Sequence, residues 1–99
     1  MRLTEFQRAT IKAAVFNLID SDSRIWLFGS RADDSKRGGD IDLLIETQSV
    51  LPNRVAALCR LEGRLVTRLG DRKIDIILKD AHTSEEPIHR AAREQGVLL

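Results

Sequence analysis

Three aspartates stand where a β-strand would normally carry apolar side chains. Asp40 and Asp42 open the segment DIDLLIE, and Asp75 lies inside the apolar segment KIDIIL. Because residues two apart on a strand project to the same face, Asp40 and Asp42 are predicted to point to one side together. Adjacent carboxylates repel each other, and an isolated ionised carboxylate is costly to bury, so both segments require a cation or strong donors. Hard oxygen ligands of this kind suit Mg²⁺ or Mn²⁺.

A Gly-Ser pair supplies the complementary half of a phosphate site. Gly29 and Ser30 directly follow the apolar segment RIWLF. A strand that ends in Gly-Ser before a helical turn exposes backbone N–H groups and a hydroxyl to an anion. Arg31, Lys36 and Arg37 follow in the same connection and could neutralise a triphosphate.

Whether the carboxylates can act together depends on which strands are adjacent in the sheet. If the second and third predicted strands are adjacent, Asp75 can reach metals held by Asp40 and Asp42. Such clusters support two metal ions about 3.5 to 4 Å apart, which stabilise the attacking and leaving oxygens of an in-line phosphoryl or nucleotidyl displacement. The predicted catalytic and metal-binding residues are therefore Asp40, Asp42 and Asp75, with Gly29, Ser30 and Arg31 at the nucleotide.

Each feature alone also has a structural explanation. A Gly-Ser pair is usually a turn, and a strand-borne Asp-x-Asp can be a salt-bridged edge in a chain with sixteen basic residues. Asp75 could pair with Arg72 or Lys73. The ordered combination of strand, Gly-Ser, nine intervening residues, Asp-x-Asp and a third aspartate in a later strand favours the site. His82 and His89 repeat no zinc-ligand spacing and are expected at the surface or in helix packing.

The composition is that of one ordinary globular domain. The chain has 99 residues, 42% apolar and 31% charged, with a net charge of +1. A protein so close to neutral has no overall positive potential to attract a nucleic-acid backbone, so no direct nucleic-acid binding is expected. The single Cys59 excludes an internal disulfide and is predicted to be a buried structural thiol. Without a signal-peptide pattern or an apolar run of about 20 residues, the expected compartment is the cytoplasm and not a membrane.

Hydrophobic periodicity predicts an α/β (α+β) fold with the element order α, β, β, α, β, α. A small mixed sheet is expected to carry its helices mainly on one face. The predicted helices are Thr4–Ile19, Pro52–Leu69 and Glu85–Gln95, and the predicted strands are Arg24–Phe28, Asp40–Glu46 and Lys73–Leu78. Thr4, Thr83 and Ser84 are candidate helix caps. The side chains expected to point inward from the first two helices are Phe6, Ile11, Ala14, Val15, Leu18, Ile19, Val55, Leu58, Cys59, Leu61, Leu65 and Val66.

The segment LFGSRADDSKRGGDIDLLIE, followed by KIDIIL, resembles the nucleotidyltransferase superfamily typified by DNA polymerase beta. In size and layout the chain resembles the minimal nucleotidyltransferase (MNT) domain proteins, from the first helix to EPIHRAAREQGVLL. The resemblance implies that Gly29 and Ser30 bind the triphosphate, that Asp40 and Asp42 hold the metals, and that Asp75 helps to activate the nucleophile. Many relatives have serine where this chain has Gly39.

The resemblance also implies a reaction and a partner. AMP would pass from ATP, with magnesium, to a hydroxyl acceptor. The chain is too short for an obvious acceptor-binding domain, so the acceptor is expected to be a protein. The implied candidate is a tyrosine of a HEPN-domain ribonuclease toxin, which would make this chain a type VII antitoxin in a hetero-oligomer. Two alternatives stay open: an antitoxin with an idle site that inhibits by contact, and an enzyme acting on a small molecule such as an aminoglycoside.

Overall fold

The computed structural model describes residues 3–32, 39–70 and 73–99. These residues form three α-helices, four strands and one short 3-10 helix. In chain order the elements are α1 (Glu5–Leu18), β1 (Arg24–Phe28), the 3-10 helix (Gly29–Arg31), β2 (Ile41–Glu46), α2 (Arg54–Leu69), β3 (Ile74–Lys79), α3 (Pro87–Gln95) and β4 (Val97–Leu98).

The strands form one mixed sheet in the order β3-β2-β1-β4. β1 is antiparallel to both β2 and β4, while β2 and β3 are parallel. The sequence predicts a mixed sheet, and this prediction is confirmed. The sequence does not decide whether β2 and β3 are neighbours, and the structure places them side by side. The parallel pair requires a long crossover, which α2 provides.

The two faces of the sheet are covered by different helices. Alternate residues of β1 and β2 join α1 and α2 in the main core, and Leu27 and Leu43 are fully buried there. The intervening residues of β2 face the other way, toward α3, where Leu44 is buried and Glu46 forms an ion pair with Arg93. Two helices therefore cover one face and one helix crosses the other, which agrees with helices mainly on one face.

Several side chains predicted to point inward are exposed. Phe6 is 65% exposed and Val55 is 70% exposed, and Val66 and Cys59 also lie at the surface. The prediction of Cys59 as a buried structural thiol is therefore wrong. The buried residues of α2 are instead a narrow i, i+4, i+8 stripe of Ala57, Leu61 and Leu65. A helix lying on a small sheet needs only such a stripe, so apolar residues about 120 to 160° from its centre remain in solvent.

The helix ends follow capping chemistry. Thr4 and Gln7 form the reciprocal capping box of α1, which confirms Thr4 as the cap. Thr83 and Ser84 do not cap α3, because Pro87 occupies the first turn and Glu86 becomes the cap. The hydroxyl of Thr83 instead donates to Oδ1 of Asp80 at 2.9 Å.

The C-terminal residues extend the sheet. After α3, Gly96 turns the chain and β4 pairs with β1, where the N–H of Leu99 donates to the carbonyl oxygen of Ile25 at 2.8 Å. The predicted element order ends at the last helix, but the apolar end Val97-Leu98-Leu99 leaves two roles open, docking of a partner or a strand or core position. The structure shows the strand. No helix in the described part of the chain is long and apolar enough to span a bilayer.

Candidate active site

The register of the sheet brings two of the predicted aspartates together. Asp42 of β2 is the direct neighbour of Asp75 in β3, and Phe28 at the end of β1 is its neighbour on the other side. Neighbouring strands lie about 4.7 to 4.9 Å apart, so two side chains in register on one face are within reach of each other. By strand alternation, Asp42 points to the face opposite the main core. The predicted contact between β2 and β3 carboxylates is therefore present.

The surroundings of Asp42 disfavour its ionised form. Burial raises the pKa of this half-buried carboxyl above its ordinary value, and the charge of Asp75 and a hydrogen bond with it raise the pKa further. The charge of Asp40 acts in the same direction, while Lys73 lowers the pKa. Two or three carboxylates that repel one another in this way are a donor set suited to a hard divalent cation.

Asp75 is more open than the sequence suggests. Its side chain is 53% exposed, and Nζ of Lys73 lies 3.8 Å from Oδ2 of Asp75. This is the alternative pairing that the sequence left open. The ion pair is weak evidence for a structural role, since both partners are exposed and such pairs contribute about 0 to 1 kcal/mol.

Asp40 lies just outside the strand. β2 begins at Ile41, one residue later than predicted, and Asp40 is exposed. The strand alternation that was expected to align Asp40 with Asp42 therefore does not extend to Asp40, although its charge acts on Asp42. Across residues 3–32, 39–70 and 73–99, no three His, Cys, Asp or Glu side chains are grouped so that they could hold a metal ion.

Gly29 touches the carboxylate of Asp42 directly. Gly29 has a φ of 74°, a conformation that other residues rarely adopt. A Cβ atom on Gly29 would collide with Oδ2 of Asp42 and lie 3.2 Å from its Cγ. The missing side chain thus allows the Gly-Ser turn to approach the aspartates, and the two halves of the predicted site meet at this contact.

The turn after Gly29 carries the other predicted nucleotide-binding residues. Ser30 and Arg31 form the 3-10 helix with Gly29. Arg31 donates from Nε and Nη2 to the carbonyl oxygen of Gly39, at 3.3 and 3.1 Å. The guanidinium therefore joins the two ends of the connection, a contact that the sequence did not indicate. Lys36 and Arg37 lie outside the described residues.

The two histidines occupy ordinary structural positions. His82 is exposed. His89 is buried, and its Nδ1 accepts a hydrogen bond from the N–H of Glu86 at 2.9 Å. His89 thereby takes part in capping α3, as the expectation of helix packing allowed.

Comparison with known proteins adds no assignment. No protein-family model matches the chain, and no curated protein is significantly similar to it. The residues of the site are therefore the basis for any functional proposal.

Proposed function

We propose that this chain is a metal-dependent nucleotidyltransferase that transfers AMP from ATP to a hydroxyl acceptor. The observation that carries the proposal is the placement of Asp42 beside Asp75, on the sheet face away from the main core and in contact with Gly29. The paired carboxylates can bind a metal ion, and the glycine turn beside them can bind a polyphosphate.

The carboxylates fit a divalent cation. Burial, together with the charges of Asp75 and Asp40, raises the pKa of Asp42 and so disfavours its ionised form, and a cation would offset the repulsion among the three carboxylates. Asp42 and Asp75, which are in register, would bind Mg²⁺ first, and Asp40 would have to move toward them to complete the ligand set. Two ions are the expected number, with Mn²⁺ as a substitute. When bound, the metal supplies charge neutralisation and polarisation at the phosphates.

The remaining groups bind and orient the reactants. The N–H groups and hydroxyl of Gly29-Ser30 would receive the triphosphate, because a glycine there lets phosphate approach the backbone. Arg31 lies in the same turn and adds positive charge. The acceptor oxygen bonds to the α phosphorus of ATP as the bond to pyrophosphate breaks. The acceptor proton passes to Asp75, whose exposed carboxylate is open to an incoming group.

The openness of the site favours a macromolecular acceptor. Asp40 is exposed and more than half of the Asp75 side chain is in solvent, so these groups do not enclose a small acceptor. A docked protein would supply its own hydroxyl and exclude water from the site. We assign this role to a tyrosine of a HEPN-domain toxin, for which the chain would be a type VII antitoxin in the cytoplasm.

Transfer can be tested with the purified chain, a candidate HEPN-type partner, magnesium and ATP labelled at the α phosphorus. Wild type should label the partner and raise its mass by one or more AMP units, whereas Asp42→Asn and Asp75→Asn should not. Asp22→Asn is the matched control, because Asp22 is an exposed acid in the turn before β1. An inhibited partner that carries no AMP would show inhibition by contact and refute the proposed activity.

A further inference from the structure

Three arginines form a continuous ridge on α2. Arg60, Arg64 and Arg68 recur every four residues, so their side chains follow one side of the helix. We call these three residues the arginine ridge. Each step along it rises about 6 Å, and the ridge is about 12 Å long. Within the part of the chain that the structure describes, none of the three forms an ion pair.

Two grooves adjoin the ridge. One groove has a volume of about 390 Å³ and is lined by the ridge with Leu18, Gly63 and Thr67. The other has a volume of about 320 Å³ and is lined by Arg64 and Arg68 with small and polar residues of α1, including Thr10, Ala13 and Asn17. Arg64 is half-buried between the helices, whereas Arg60 and Arg68 are exposed.

The two helices that line the grooves, α1 and α2, carry little negative charge. Glu62 is the only acidic residue of α2. It stands two positions from both Arg60 and Arg64, about 200° around the helix, and therefore points away from the ridge. The only acidic residue of α1 is Glu5, which lies 3.6 Å from Arg8. A locally positive surface thus exists on a chain whose net charge is only +1.

We propose that the arginine ridge binds the phosphodiester backbone of a nucleic acid. A guanidinium matches a phosphate in planar, bidentate geometry. The ridge spans about four phosphates of one strand at the 3.4 Å rise of a duplex strand. Among the described residues, the groove walls offer Thr10, Asn17, Gly63 and Thr67 but no aromatic anchor of the kind that stabilises protein interfaces.

The same walls predict binding without sequence preference. Bases are read by stacking or by contacts to their edges, and no aromatic side chain is among the described residues that line the grooves. The surface also lies apart from the candidate active site. α2 covers the core face of the sheet, whereas Asp42 points to the opposite face. The proposal therefore does not depend on the transfer reaction, and it reverses the expectation drawn from the net charge.

Fluorescence anisotropy with two labelled probes, a mixed-sequence RNA strand and a DNA duplex, tests the ridge. Three phosphate contacts predict slopes of log affinity against log salt of about −2.1 for the strand and −2.7 for the duplex. Affinity should then fall about 20-fold and 40-fold, respectively, between 50 and 200 mM salt. Arg60→Gln with Arg68→Gln should bind at least about tenfold more weakly and reduce the fall to about threefold.

Arg24→Gln with Arg90→Gln is the matched control, because it removes two exposed arginines outside the ridge and leaves the same net charge. Both ridge substitutions replace exposed side chains, so the melting temperature should not change. If it does, the single variants decide the question, since each should lower the slope by about 0.7 to 0.9. Three outcomes would overturn the proposal. They are an equal loss of affinity in the control variant, no binding of either probe, and displacement of the probe by polyglutamate as effectively as by unlabelled RNA. AMP transfer is measured in parallel and should be unchanged in all of these variants.

Discussion

Replacing Gly29 with alanine tests the contact on which the candidate active site is built. The new Cβ would collide with Oδ2 of Asp42. The backbone there would also keep a φ of 74°, which an L-residue with a side chain tolerates poorly. Both effects should lower the free energy of unfolding, and displacement of Asp42 should also impair transfer.

The two costs can be worked out separately. An L-residue in the left-handed region costs about 1 to 2 kcal/mol, from which about 0.4 to 1 kcal/mol is recovered because alanine has fewer unfolded conformations. Relieving the collision adds about 1 kcal/mol, the lower end of the range for overpacking, since a half-buried carboxylate can move. The sum is about 2 kcal/mol, or a fall in melting temperature of about 10 °C. A displacement of about 1 Å at the site predicts about 100-fold slower transfer.

Chemical denaturation and the labelled-ATP assay measure these effects. Gly63→Ala is the matched control, because Gly63 lies inside α2 and, apart from the adjacent helix backbone, a Cβ there meets no described atom within 4 Å. That substitution should stabilise the chain by about 1 kcal/mol and leave transfer unchanged.

A double-mutant cycle isolates the collision. In the Asp42→Ala background the carboxylate is gone, so Gly29→Ala should cost about 1 kcal/mol less than in wild type. Equal costs in the two backgrounds would refute the Gly29–Asp42 contact. A Gly29→Ala variant as stable and as active as wild type would refute the described turn altogether.

Three further predictions follow from the charges. In the absence of metal, Asp42→Asn should raise the free energy of unfolding, because a carboxyl with a raised pKa destabilises the fold when ionised; equilibrium denaturation at neutral pH measures this. Hydrogen bonds from backbone N–H groups lower the pKa of Asp80 below its ordinary value of 3.8. The ionised carboxylate therefore stabilises the folded state above pH 3.8, and this contribution is lost as the pH falls further. Denaturation measured between about pH 5 and pH 2 should show a larger loss of stability for wild type than for Asp80→Asn. Arg93→Met should destabilise the packing of α3 on the sheet by about 1 kcal/mol or more, because it breaks the ion pairs with Glu46 and Glu85. Native-state hydrogen exchange should therefore become faster in α3 before it does so elsewhere.

Apolar periodicity accounts for the parts of the fold that were predicted correctly. β1 has the predicted bounds, and α1 and α2 begin and end within two residues of them, because each carries a long apolar pattern. The sequence leaves a strand role for Val97-Leu98-Leu99 undecided because two or three residues contain no periodicity, and the pairing of β4 with β1 rests on backbone hydrogen bonds. The exposure of Val55 and Phe6 was missed because the width of a buried helix stripe depends on the surface against which the helix packs.

The candidate site was also predictable only in part. The sequence shows that Asp42 and Asp75 interrupt apolar strands, and one further condition, adjacency of β2 and β3, suffices to bring them together. The contact with Gly29 could not be predicted, since it depends on how closely the end of β1 approaches β2. The position of Arg31 was equally hidden, because its acceptor is a backbone carbonyl, that of Gly39, eight residues away.

Strand alternation separates the stability of this protein from its proposed chemistry. β2 places Leu43 fully inside the main core and places its neighbour Asp42 on the opposite face, beside Asp75. Loss of the Asp42 carboxylate therefore removes repulsion and leaves the core packing intact, whereas truncation of Leu43 would cost about 2 to 5 kcal/mol. Because the same strand fixes both side chains, the core holds Asp42 in place while its carboxylate stays half-exposed beside the more open Asp75. A variant at Asp42 that stays folded and loses transfer is the outcome that this arrangement requires, and a variant that unfolds would show that the aspartates are structural.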